Sequence, residues 1–118
     1  MLNDATGFKR IYIACGYSDL RRGIDGLVGR IRNEFALDPY EAGNIFLFCG
    51  RRSDRIKALL YEGDGFLLLY KRLSNGHYQW PRNEAEVKAI TQQQYHWLME
   101  GLQVEQKKTI QQMTPKQI

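Results

Sequence analysis

The stretch IFLFCGRRSDRIKALLYEGDGFLLLYKRLSNGHYQWP, residues 45–81, decides the fold. Ile45–Cys49 is apolar at every position, the pattern of a central strand covered on both faces. Gly50-Arg51-Arg52-Ser53-Asp54 is a polar connection. Strands are predicted at Arg55–Glu62, Phe66–Leu73 and His77–Trp80, joined by the hairpin signals Gly63-Asp64-Gly65 and Ser74-Asn75-Gly76. Pro81 stops the sheet, because it has no N–H to give to a ladder.

Side chains alternate across a sheet, so the turn length decides which residues share a face. With two-residue turns, Ile56, Ala58, Leu60, Leu67, Leu69, Leu73, Tyr78 and Trp80 form a core face. Arg55, Lys57, Leu59, Tyr61, Phe66, Leu68, Tyr70, Arg72, His77 and Gln79 form the other. A three-residue loop at Gly63-Asp64-Gly65 would mix the two sets. The second face has cations at one end and aromatic rings in its middle. Such a surface suits nucleic acid, with cations on phosphates and rings under exposed bases. It equally suits a helix or a partner laid over the apolar centre, with the charges left at a wet rim.

Upstream, Ile11–Cys15 reads as a strand and Gly16-Tyr17 as a turn. Ser18 is placed to cap a long helix whose apolar stripe is Leu20, Ile24, Leu27, Val28, Ile31 and Phe35. Gly23, Gly26 and Gly29 recur within it, each costing about 0.8–1 kcal/mol against alanine. Close packing on the sheet, or approach of a partner, would explain them. Downstream, Thr91 caps a short helix holding Tyr95, Leu98, Met99 and Leu102. The expected class is therefore α+β: an antiparallel meander of about four to five strands, one long helix packed on it and a short C-terminal helix. Residues 1–8 are expected to be a flexible N-terminus, 9–102 the single domain, and 103–118 a polar, disordered tail.

The chain has 118 residues, 43% of them hydrophobic, which is one domain with a real core. No apolar run approaches the ~20 residues of a membrane span, and the N-terminus lacks a signal layout, so a cytoplasmic protein is expected. Cys15 and Cys49 have no metal spacing and read as small buried hydrophobes. The net charge is +4, and all of the excess lies in residues 1–82, with 13 basic and 9 acidic side chains. An anionic partner would be met there.

Three basic clusters carry that excess. Arg51, Arg52 and Arg55 crowd one loop with only Asp54 beside them, and Lys57 and Arg72 share their sheet face. Arg21 and Arg22 lie near a helix start, partly offset by Asp19 and Asp25, and Lys71 adds support. No phosphate loop, dinucleotide motif, serine elbow or Cys/His metal spacing is present. Asp19, Asp25, Asp54, Glu62 and Asp64 raise the thought of a metal-dependent nuclease. Each has a simpler place in a helix start, a turn or an ion pair, and His77 and His96 lack an evident partner. No active site, cofactor or small-molecule substrate is expected.

These residues resemble the TnpB-type accessory proteins of the insertion-sequence-sixty-six family, which are unrelated in role to the RNA-guided nuclease of the same name. Asp19-Leu20-Arg21-Arg22-Gly23-Ile24-Asp25-Gly26-Leu27 is similar to the family's D-M-R-K-G-F-D-G-L. The run from Ile45 to Pro81 and the segment Thr91–Gly101 carry the rest, so that the likeness spans residues 9–102. Leu60 stands where the family favours an aromatic, and Cys49 where a basic residue is common. The resemblance implies a non-enzymatic role in transposition beside a separate transposase, and it supplies no catalytic residues. Two expectations follow: DNA contacted through Arg51, Arg52, Arg55, Lys57 and Arg72 with Arg21, Arg22 and Lys71 in support, or docking on the transposase without DNA contact.

Overall fold

The computed structural model describes residues 1–82 and 86–106. Strands β1 (Arg10–Ala14), β2 (Asn44–Cys49), β3 (Arg55–Tyr61), β4 (Phe66–Arg72) and β5 (Val87–Ile90) form one sheet in the order β4-β3-β2-β1-β5. Helix α1 (Ile24–Asn33) lies between β1 and β2 in the chain, and α2 (Gln92–Met99) follows β5. The class is α+β, as expected, but the sheet is not a pure meander. β1 and β2 run parallel, joined through α1, and the other pairings are antiparallel. A parallel pair needs a crossover, and the helix is that crossover.

The β3–β4 hairpin follows the expected register. Tyr61 pairs with Phe66 and Arg55 with Arg72. Glu62 donates its N–H to the Gly65 carbonyl, closing a two-residue Gly63-Asp64 turn. Gly63 has φ 96, and Asp64 is not in the positive-φ region, which is the type II′ pattern. The β3 and β4 members of both side-chain sets therefore lie where alternation puts them for a two-residue turn.

Each face of the sheet has its own core. On one side Ile11, Ile13, Ile45, Leu47, Ile56 and Ala58 pack with Tyr78, Trp80, Tyr95 and Leu98. On the other, Phe46, Phe48 and Leu59 pack with Leu27, Val28 and Ile31 of α1. β2 is buried at every residue, as a central strand covered on both faces must be. Leu59 of the second face is thus covered by α1, while Phe66 and Leu68 are partly buried and Tyr70 stays exposed.

Several expectations are corrected. The helix starts at Ile24, not Leu20, and has ten residues, so it is not long. Asp19 takes the N–H of Arg21, and the Ser18 hydroxyl accepts from Arg30, so neither is left to cap a helix. Gly23 is extended at φ −91, ψ −161 and serves as an N-cap without a side-chain bond. His77–Trp80 is not a strand, and the remaining strand is Val87–Ile90 beside β1. The alternation there serves insertion into the core. Trp80 donates its indole N–H to the Ala14 carbonyl at 2.8 Å, and Tyr78 donates its N–H to Ser53. The helix glycines do not approach the sheet: a side chain at Gly23 would meet nothing within 4 Å, at Gly26 only the stem of Arg22, and at Gly29 only Asn33.

Thr91 caps α2 with a complete capping box through Gln94, as expected. Leu102 is exposed, however. The N-terminal segment, expected to be loose, places Leu2 in the core, and Tyr95 donates its hydroxyl to the Leu2 carbonyl. Val104 is also buried, and Lys88 pairs with Glu105 at 2.6 Å, so packing continues past the expected end at residue 102. The rest of the expected tail, residues 107–118, lies outside the described residues. Cys15 and Cys49 are buried free thiols.

Candidate nucleic-acid interface

Two segments distant in sequence are pinned together above the second face. Ser18 donates its N–H to the Cys49 carbonyl at 2.8 Å. Leu20 lies so close to Gly50 that a Cβ there would stand 3.1 Å from its methyl, which only glycine permits without a shift. Lys57 reaches from β3 to the Arg22 carbonyl at 2.9 Å. These contacts hold the turn at 18–22 against the loop at 50–54 and leave a cleft of 570 Å³ between them.

Arg21, Arg51, Arg52, Arg55 and Lys57 all line this cleft, with Tyr70, Ser18, Leu20, Gly50 and one carboxylate, Asp19. Rim and floor differ. The Arg21 side chain is 90% exposed, and Arg51 and Arg52 are also exposed. Arg55 and Lys57 sit lower and are half-buried. Tyr70 is directly across from Lys57 in the β3–β4 register, 54% exposed, with the ammonium 5.8 Å from its ring centre.

Two of the five cations are occupied by acids. Arg21 binds Asp19 through both Nε and Nη2 at 3.0 Å, and this pairing pulls the Asp19 carboxyl down to about 2. Arg55 binds Asp54 at 3.0 Å, which lowers the Asp54 pKa and raises that of Arg55. Among the described residues no carboxylate lies within ion-pair distance of Arg51, Arg52 or Lys57. Asp25, which helical spacing offered to Arg21 or Arg22, pairs with neither.

The remaining candidates do not join the cleft. Arg22 contributes its carbonyl, and its side-chain stem lies over Gly26. Arg72 is exposed on the correct face, opposite Arg55, but beyond the lining. Lys71 pairs with Ile56 in the ladder and so belongs to the opposite face, where it donates to Asn3 at 2.6 Å. Alternation along β4 separates it from Tyr70 and Arg72.

Two residues beside the cleft carry no motif. The Arg82 guanidinium stacks 4.0 Å above the Tyr17 ring and donates to the Ser53 hydroxyl. Arg51 lies 6.0 Å from the same ring. The nearness of Tyr17 to an arginine loop more than thirty residues on has no local signal; it comes from the Ser18–Cys49 hydrogen bond. Among the described residues no three acidic, histidine or cysteine side chains, Asp19, Asp25, Asp54, Glu62 and Asp64 included, gather as a metal site would need. Nor is any helix of the described residues long and apolar enough to cross a membrane.

The chain matches the family model described as IS66 Orf2-like protein over residues 9–109. It is 36% identical over 93 residues to the uncharacterized protein y4hO of Sinorhizobium fredii, covering 79% of this chain and 80% of the relative. It is 32% identical to y4jC of the same organism, also over 93 residues, covering 79% of each chain. No solved structure matches. The chain belongs to the IS66 Orf2-like family, and is by that membership a transposition-associated accessory protein.

Proposed function

We propose that this protein acts in transposition as a non-catalytic DNA-binding accessory, holding phosphates in the cleft between residues 18–22 and 50–54 while a separate transposase does the bond chemistry. The observation that carries the reading is the convergence of Arg21, Arg51, Arg52, Arg55 and Lys57 on one concave surface with a single lining carboxylate. Cations brought together in a cleft focus the field and draw in an anionic polymer. The alternative, docking on the transposase without DNA contact, drew on the apolar centre of the second face and on the glycines of α1. Of the first, Leu59 is covered by Leu27, Val28 and Ile31, with Phe66 and Leu68 partly buried beside it; of the second, Gly26 is filled by the stem of Arg22, and Gly23 and Gly29 face open surface.

The test is the salt dependence of DNA affinity, measured by fluorescence anisotropy from about 0.05 to about 0.4 M salt. With about five phosphates neutralised, log affinity falls against log salt with a slope near −4.5 on duplex DNA, or about −3.5 on a single strand. Replacing Arg51 and Arg52 together by alanine reduces the duplex slope by about 1.8, at about 0.9 per phosphate. A flat dependence, or no binding, removes the proposal. Co-purification with the transposase that survives nuclease treatment, in the absence of DNA binding, supports the docking alternative instead.

A further inference from the structure

The cleft is graded from top to bottom. Arg21, Arg51 and Arg52 stand exposed at its rim, whereas Arg55 and Lys57 are half-buried on the floor beside an open tyrosine ring. The volume of 570 Å³ falls within the about 300–1,000 Å³ of small-molecule clefts, room for one nucleotide. A double helix meets the cations of such a surface through its phosphates. Its bases are paired and stacked, and they offer no face to Tyr70.

Tyr70 is the ring available for stacking. Tyr17 already carries the Arg82 guanidinium 4.0 Å above its ring. Tyr61 and Phe66 are packed against each other and against Tyr40, with ring centres 4.9–5.3 Å apart. Tyr70 has no aromatic neighbour among the described residues, is 54% exposed, and lines the cleft with Lys57 across from it. An aromatic face next to cations at the bottom of a groove is what an unpaired base with its phosphates requires.

We infer that the cleft takes single-stranded DNA, with an unpaired base stacked on Tyr70 and its flanking phosphates held by Lys57, Arg55, Arg51 and Arg52. This inference rests on the DNA-binding reading above. It goes further in naming the form of DNA and the residue that selects it. The sequence tolerance of stacking means that the preference is for strandedness, not for a base sequence.

The experiment compares a labelled mixed-sequence 20-mer with its duplex on the full-length protein, together with Tyr70→Ala and Tyr70→Phe. The single strand is expected to bind at least roughly ten-fold tighter than the duplex. Tyr70→Ala lowers single-strand affinity roughly 5- to 100-fold, the effect of losing one stacked base, and leaves the salt slope and the duplex affinity unchanged. Tyr70→Phe, which keeps the ring, retains single-strand binding. Photocrosslinking from 5-iodouracil within the single strand is expected to label Tyr70, a readout that a merely structural role would not give. Duplex bound as tightly as single strand, or equal single-strand affinity in Tyr70→Ala, overturns the inference and leaves DNA binding standing. Absence of binding to either form overturns both.

Discussion

At the residue scale, the cleft is tuned by acids as much as by cations. Arg21 is held by Asp19 in a two-bond pair that keeps the carboxyl ionised down to about 2. A depressed carboxyl stays charged at every pH above its folded value, so mild acid does not release Arg21; substitution does. Asp19→Asn keeps an oxygen for the Arg21 N–H while removing the charge. It is expected to tighten DNA binding and to steepen the salt slope by about 0.9, read from the same titrations. Arg30, unlike Arg21, is buried and structural. Arg30 is 8% exposed, donates to Ser18 at 2.5 Å and to Glu34 at 2.9 Å, and has Phe35 and Phe48 rings at 5.1 and 5.7 Å. Ser18→Ala leaves one of its donors unpaired out of reach of water. A loss of about 1–3 kcal/mol in urea unfolding is expected, and an unchanged midpoint would show that water reaches the guanidinium.

At the scale of elements, the two helices differ in how their ends and middles are made. α2 starts on a reciprocal box in which Thr91 accepts from the Gln94 N–H and Gln94 accepts from the Thr91 N–H. Thr91→Ala is expected to cost about 1 kcal/mol. α1 has no capping side chain, and of its glycines only Gly26 is closely packed, against the stem of Arg22. Gly29 faces open space apart from Asn33 at 3.9 Å, so Gly29→Ala should stabilise the protein by up to about 1 kcal/mol. Thermal midpoints of the two variants are expected to move in opposite directions. Lowering by Gly29→Ala would mean that something beyond the fold itself approaches α1. The glycine pattern reads the same in sequence whether or not a neighbour is close, because glycine records permission for contact and not contact itself. The β3–β4 hairpin is the opposite case: alternation assigns the faces once the turn length is known, and the structure has the two-residue Gly63-Asp64 turn.

At the scale of the molecule, the core on the face away from the cleft holds several groups that ionise only with difficulty. Burial raises the Cys49 thiol and the Tyr78 and Tyr95 phenols to about 12, and it raises Cys15 as well. The unfolded chain gives up these protons near the ordinary values of 9.0 and 10.0, while the native chain keeps them. Stability is therefore fully present below about pH 9 and falls as pH rises, by up to roughly 1.4 kcal/mol per pH unit for each group once its unfolded form is ionised. Urea midpoints at about pH 8 and about pH 10.5 check this, and a flat profile would mean that water reaches these side chains. Alternation, turn glycines and the Thr91 cap placed β3, β4, the central β2 and α2 from the chain alone, because each is a local pattern with one low-energy reading. The crossover that makes β1 parallel to β2, the strand at Val87–Ile90 and the late start of α1 were not legible. They depend on which distant groups take up Ser18, Trp80 and the N–H of Tyr78. The basic clusters were visible as residues, and most of them meet. That Arg21 joins Arg51 and Arg52 while Lys71 turns away was decided by tertiary contacts: the Ser18–Cys49 hydrogen bond, Leu20 on Gly50, and the alternation of β4 about Tyr70. A list of charges carries no direction, and only packing supplies one.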